Sequence, residues 1–241
     1  LQKLLSYTRQ AVNDYNMIKD GDKIAVGISG GKDSLCLLAA LSEMRRFFPY
    51  KYELEAITVS LGFNETDYSG VKSFCDKLGV NYTVVDTQIG RIIFDERKEE
   101  NPCSLCAKMR KGALNNAAEE LGCNKIALGH NKNDVIETFL MSLIFEGRIS
   151  CFSPVSFLEK KKLYSIRPLI YVSEYETKSY ADSLGSIIVK NPCPADGSTK
   201  RQEIKELLKT LNKTYPNLNQ RIFGAVTRSL DDWKRGGVNG R

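Results

Sequence analysis

The apolar run at 24–28, Ile-Ala-Val-Gly-Ile, is short, partly β-branched and bounded by polar residues, the pattern of a strand buried on both faces. It breaks at Ser29-Gly30-Gly31. From Asp33-Ser34 onward the apolar positions recur at helical spacing through Leu35, Leu37, Leu38 and Leu41. Strand and helix patterns then keep alternating. Residues 54–60 and 80–86 predict strands, with a helix at 68–78 between them. A helix at 107–121 stops at Gly122, and a fourth strand follows at 125–129. The next helix carries Ile136, Phe139, Leu140, Leu143 and Ile144 on its apolar positions. A Ser/Pro stretch at 150–156 and a basic hairpin tip at Lys160–Lys162 precede a fifth strand at 163–167, which Pro168 ends. A helix at 172–184, a short strand at 187–189 and two helices at 200–213 and 218–234 complete the chain. Residues 1–20 predict an amphipathic helix, and the charged 91–100 segment predicts a solvated helix or excursion.

Strands alternating with helices predict an α/β fold, a doubly wound, mainly parallel five-stranded sheet with added N- and C-terminal helices. Three parts are expected: a helix at 1–22, a nucleotide domain at 23–190, and a C-terminal part at 191–241. Ligands in such sheets sit at the carboxyl ends of the strands. That rule brings together Ser29, Gly30, Gly31, Lys32, Asp33 and Ser34, the strand end Thr58-Val59-Ser60, and Gly129-His130 after the fourth strand. A strand, a glycine turn and a helix N-terminus make an anion site, to which Lys32 adds a charge. It is not a Walker A loop: Val26 stands at the first glycine position, and Asp33 follows the lysine in place of a hydroxyl.

Composition changes the picture little: 42% hydrophobic and 27% charged is ordinary for a globular protein. No apolar run approaches the ~20 residues of a membrane helix, and the first 17 residues lack the apolar core of a secretion signal, so the expectation is a cytoplasmic protein with no membrane partner. The net charge of +6 says more through its placement. Residues 197–241 hold ten Lys/Arg and four Asp/Glu, which accounts for all of it. A basic tail suits a polyanion such as RNA, or is simply a solvated helical face.

Seven cysteines are too scattered for a disulfide scaffold. Cys36, Cys75, Cys123 and Cys151 lie in apolar patterns and predict small core residues. Cys103, Cys106 and Cys193 do not. Asn-Pro-Cys occurs at 101–103 and again at 191–193, and the first copy opens a Cys-x-x-Cys. Zinc, redox and iron–sulfur roles all remain open on this pattern alone. A structural zinc site wants four ligands, whereas three thiolates suit a [4Fe-4S] cluster with one iron left open.

Ser29-Gly-Gly-Lys-Asp-Ser34 resembles the PP-loop of the adenine-nucleotide α-hydrolase superfamily, which implies cleavage of ATP to AMP and pyrophosphate. The wider set resembles the tRNA 2-thiocytidine synthetase family: Cys103-Ser-Leu-Cys106 followed by Lys108-Met-Arg110-Lys111-Gly112; Gly129-His130-Asn131 with Asp134 and Glu137-Thr138; Arg167-Pro168-Leu169; and Cys193 ahead of a Lys-Arg-Gln stretch. These span residues 24 to about 202. The resemblance implies a tRNA substrate, ATP, Mg2+ and a [4Fe-4S] cluster held by Cys103, Cys106 and Cys193. It implies adenylation of an anticodon-loop cytidine at C2 and replacement of the oxygen by sulfur from a cysteine desulfurase or free sulfide. Lys32, Asp33, Arg110 and Asp134 are then the catalytic candidates, and a homodimer through the terminal helices is expected. Two departures stand out. Relatives carry Asp-Asp where this chain has Asn133-Asp134, and a further Cys-x-x-Cys where Cys193 is followed by Pro-Ala-Asp196. The zinc-ribbon cysteines of 2-thiouridine enzymes are absent, and lysidine synthetases share the loop without the three cysteines. The alternatives are thiolation of another tRNA base or of a peptide or small-molecule amide, or a non-catalytic nucleotide- or RNA-binding module with a redox-sensing cluster.

Overall fold

β1 (Asp22–Gly27) lies inside the sheet because its apolar run has helices to cover both faces. The computed structural model describes residues 2–63, 66–97, 102–184, 187–189, 193 and 200–234. Among these, one six-stranded sheet runs in the order β3-β2-β1-β4-β6-β5. β2 (Tyr52–Ser60), β3 (Asn81–Asp86), β4 (Lys125–Ala127) and β6 (Leu163–Ile166) join β1 in parallel. β5 (Val155–Leu158) closes the edge antiparallel to β6.

The sheet thus has six strands rather than the five expected, and the extra one is β5. Its four residues follow Pro154 and hardly alternate, so its pairing comes from β6 across a turn in which Lys162 takes a left-handed φ of 51°. The short strand expected at 187–189 is not one. Val189 instead donates its N–H to Gly30 O at 3.0 Å.

Alternating residues of β1 serve two layers. Ile24 and Val26 pack with α1 (Gln2–Asp14), α2 (Lys32–Met44), α3 (Ser69–Lys77) and α7 (Glu174–Ala181). Ala25 faces the other way, with Ile57, Ile126 and Leu163, under Leu114, Ala117 and Ala118 of α5. α5 spans Pro102–Glu120 and so starts before the expected 107. Pro102 suits a first helical turn, where its missing N–H costs nothing. Cys103 and Cys106 therefore lie on the helix rather than in a loop before it.

The expected solvated segment at 91–100 is partly an apolar anchor. α4 (Ile89–Arg91) runs into a π-helical turn, Ile92–Glu96, and buries Ile89 and Ile93 with Leu61. Its many charges conceal the two isoleucines. On the opposite flank, α8 (Lys200–Thr214) and α9 (Leu218–Ser229) cover α6 (Lys132–Glu146) through Ile136, Ile204 and Leu208. Trp233 then locks the C-terminal end, donating Nε1–H to Phe152 O at 3.0 Å while accepting from Tyr15 Oη at 3.1 Å. Asn101, Asn191-Pro192, Asp196 and the last basic residues of the tail lie outside the described residues.

Below the amino ends of the strands, Lys125 Nζ meets Asp22 Oδ2 at 2.6 Å with both side chains buried, and also donates to Met17 O at 2.9 Å. Asp22 further accepts from Asn124 Nδ2 at 2.8 Å. Removing one partner strands a buried cation. Asp22→Ala is therefore expected to cost about 3–5 kcal/mol in urea unfolding, and Asp22→Asn less, because it keeps hydrogen-bonding capacity.

Candidate active site

The glycine loop is tied from within. Ser34 Oγ accepts the Ser29 N–H at 3.2 Å and donates to Gly31 O at 2.8 Å, while Gly31 N–H donates to Ser29 Oγ at 3.3 Å. Gly31, the residue capping α2, provides no side-chain cap. The first-turn N–H groups of α2 are thus left to a ligand, and the helix dipole favours an anion there. Two glycines are required by neighbours. Gly30 has a φ of +80°, and a Cβ on it would stand 2.7 Å from Val189 Cβ. A Cβ on Gly129 would stand 3.1 Å from Asp33 C and Ser34 N. Both the end of β4 and the 187–189 segment therefore press directly on the loop.

Side chains bind this loop to two further helix starts. Asn131 caps α6, accepting from Asn133 N and Asp134 N, and its Nδ2 donates to Asp33 Oδ1 at 3.2 Å. Asn133 Oδ1 accepts the Glu174 N–H at 3.0 Å, just inside the Ser173-capped start of α7. Lys32 Nζ bridges Asp33 at 2.7 Å and Glu174 at 3.4 Å. Burial works against the Lys32 charge, but these two carboxylates hold its pKa above the ordinary value.

The ion pairs continue outward. Lys205 Nζ lies 3.1 Å from Glu174 and 3.7 Å from Glu137, and Arg201 lies 3.1 Å from both Asp134 and Glu137. Burial pushes Glu137 up to about 7 even so, and raises Asp134 despite the Asn131 N–H and Arg201. Part of the basic tail is thus spent on buried acids. Glu174, Arg201 and Lys205 are site residues that sequence patterning missed. The one available signal was a glutamate at 137 within an otherwise apolar helix.

Beside the loop, on the α5 side of the sheet, lies a cavity of about 470 Å³. Of the residues singled out in the sequence, Ser29, Asp33, Ser34, Val59, Arg110, Gly129 and His130 line it. Thr58 points elsewhere, accepting from Tyr82 Oη at 2.8 Å, and Ser60 offers its carbonyl to Thr87. Neither lines the cavity. Gly30, Gly31, Lys32 and Asp134 do not line it, and Asp134 instead accepts the Asn131 N–H at 2.9 Å. His130 stacks on Phe152 with centroids 4.9 Å apart, and Arg167 lies over the same ring at 5.0 Å. Burial, then Arg167 and Arg201, push His130 down to about 3, so its imidazole is neutral.

The three cysteines outside the core patterns lie within electrostatic range of one another, on the side of Arg110. Burial raises the Cys106 thiol, Arg110 lowers it, and Cys193 and Cys103 each raise it further. Electrostatic contact of this kind requires proximity. Among the described residues, however, no three His, Cys, Asp or Glu side chains are gathered closely enough to hold a metal ion. Cys36, Cys75 and Cys123 are buried core residues, as expected, and Cys151 is half-buried against the core.

The neutral His130 makes stability depend on pH. The unfolded chain protonates this residue near 6.5 and the fold only near 3, so between those values the unfolded state binds more protons and acid destabilises the fold. Between about pH 7.5 and about pH 5, the wild type is expected to lose on the order of 2 kcal/mol more than His130→Gln in urea titrations.

The PP-loop domain family matches residues 3–211. A tRNA-cytidine(32) 2-sulfurtransferase of Pelobacter propionicus is 38% identical over 221 residues, covering 90% of this chain and 82% of the relative. Another of the same name from Dichelobacter nodosus is 36% identical, covering 95% and 86%. Among solved structures, the U34-tRNA thiolase NcsA of Methanococcus maripaludis, with its [4Fe-4S] cluster, superposes with a TM-score of 0.76 at 28% identity, covering 94% of this chain and 77% of that one. On this match, which runs through the glycine loop, the α5 cysteines and Arg201, the chain belongs to the PP-loop family, in its tRNA-cytidine 2-sulfurtransferase branch.

Proposed function

We propose that the protein is an ATP-dependent tRNA thiolase that replaces the C2 oxygen of an anticodon-loop cytidine by sulfur. The observation that carries this is the position of Arg110. It lines the cavity beside the glycine loop, and its charge also bears on Cys106, which feels Cys103 and Cys193. A sulfur site and a nucleotide site then adjoin.

Each residue has a part. The first-turn N–H groups of α2 and Lys32 hold the triphosphate. The cytidine O2 attacks the α-phosphorus, the bond to the β-phosphate oxygen breaks, and pyrophosphate departs. Sulfur at the sulfide level then attacks C2, and AMP leaves with the former carbonyl oxygen. No net oxidation or reduction occurs. Arg110 and Lys32 stabilise negative charge as it develops on the phosphates, a preorganised electrostatic contribution. Asp33, a hard oxygen donor lining the cavity, would hold Mg2+, and Asp134, engaged by the Asn131 N–H and Arg201, would fix the start of α6 beside it. Three thiols are the soft donor set a [4Fe-4S] cluster takes, and Cys103, Cys106 and Cys193 would hold it. Such a cluster, when bound, supplies sulfur for transfer. Cys103 is exposed, and Cys106 and Cys193 are half-buried.

The decisive experiment incubates anaerobically purified protein with ATP, sulfide and unmodified tRNA. It follows pyrophosphate and analyses the digested nucleosides by mass. RNA-dependent pyrophosphate release with 2-thiocytidine formed supports the proposal. Release without RNA, leaving the nucleosides unchanged, overturns it. Cys193→Ser is expected to abolish thiolation and the visible cluster absorbance while leaving ATP affinity unchanged. Lys32→Ala removes a charge-assisted phosphate contact of about 1.5–3 kcal/mol, lowering pyrophosphate release by roughly 10- to 100-fold.

A further inference from the structure

Among the described residues, four buried side-chain nitrogen or oxygen atoms lack a hydrogen-bond partner. Three of them belong to residues lining the one cavity beside the glycine loop: His130 Nδ1, Ser165 Oγ and Arg167 Nε. Buried polar groups are nearly always paired, because leaving one unpaired is costly, so three at one place are unlike an ordinary core. Ser165 and Arg167 are more than nine-tenths buried.

The fold explains why they meet. Ser165 and Arg167 are two apart at the end of β6, so both face the α5 side, and Ser165 sits opposite Ile126 of β4, whose chain runs on to His130. Phe152 lies against both His130 and Arg167. The cavity's other end is apolar: Ile57 and Val59 of β2 under Leu114. β2 and β6 are separated by β1 and β4, three strand spacings or roughly 14 Å. One planar base does not fill that span. The apolar end suits the adenine of a nucleotide whose phosphates lie on the glycine loop. The polar end is left for a second base.

We propose that His130, Ser165 and Arg167 form a base-reading subsite for the Watson–Crick edge of a pyrimidine flipped out of the RNA, and that Arg167 selects cytosine over uracil. This rests on the function proposed above. The shared chemistry is an amine beside an acceptor ring nitrogen, present in both cytosine and adenine; position assigns the subsite to the RNA base. Arginine is only ever a donor. Cytosine offers it acceptors at N3 and O2, whereas uracil turns an N3–H toward it and leaves two donors facing. The neutral imidazole and the serine hydroxyl can each accept from the exocyclic amine. Buried groups left unpaired by the wrong substrate are a strong source of discrimination.

The test uses full-length Ser165→Ala and Arg167→Gln, with three readouts: ATP affinity without RNA, kcat/KM for pyrophosphate release with cytidine tRNA, and the ratio of that value to the one with uridine at the target position. Ser165→Ala is expected to lower kcat/KM for the cytidine tRNA about tenfold while ATP affinity changes less than about twofold. Arg167→Gln, which offers both donor and acceptor, is expected to shrink the cytidine-to-uridine ratio. Arg167 also donates to Ser153 O at 2.6 Å, so its variant is checked by thermal melting. Should it unfold, Ser165→Ala decides alone. Weaker ATP binding with the base ratio intact overturns the proposal in favour of adenine. Wild-type activity with both variants unchanged in all readouts overturns the subsite alone. A wild type that releases no pyrophosphate in response to RNA overturns the functional proposal, and the subsite with it.

Discussion

Three helix starts are held together by a few polar side chains, and the rest of the site is arranged around them. Asn131 ties the cap of α6 to Asp33 on α2, and Asn133 ties α6 to the first N–H of α7. Each helix brings a partial positive charge to its start, and the added cation Lys32 would repel them if left alone. Asp33 and Glu174 neutralise it. The glycines at 30 and 129 matter for the same reason: a side chain at either would push a neighbouring segment off the loop.

That constraint also connects the three cysteines to the glycine loop. Val189 rests on Gly30 through a backbone hydrogen bond, and Cys193 follows four residues later. α5 carries Cys103 and Cys106 on the same side of the sheet as the cavity, with Arg110 one turn beyond Cys106. In the function proposed above this adjacency has a chemical purpose, since the carbonyl oxygen to be activated and the carbon that receives sulfur are bonded to each other.

Much of the framework was legible in the sequence. The glycine loop, the parallel α/β order and the two cysteine groups are local patterns, each contained within a few residues. β5 was not legible, because four residues after a proline have no periodicity until β6 pairs with them. The segment at 187–189 has the β-branched composition of a strand, yet its hydrogen bond goes to Gly30. The start of α5 was misplaced because cysteines and a proline look like a loop. Least legible were Glu174, Arg201 and Lys205. Their meaning depends on contacts across 31 to 142 positions of chain, and no local window holds them. Thr58 illustrates the converse. The strand was legible, whereas the direction of its hydroxyl, set by alternation toward Tyr82, was not.

The buried carboxylate of Glu137 has a consequence for biosynthesis. Its two cationic neighbours sit on α8, more than sixty positions downstream, so a chain emerging from the ribosome completes the sheet through β6 before either has been made. Until then neither cation is there to pair with this acid, whose burial in the finished fold raises its affinity for protons. The ionised form gains its ion pairs only once α8 docks on α6. Assembly of the phosphate cradle is therefore vectorial: its core is laid down early, and its electrostatic closure arrives with the last helices to be translated.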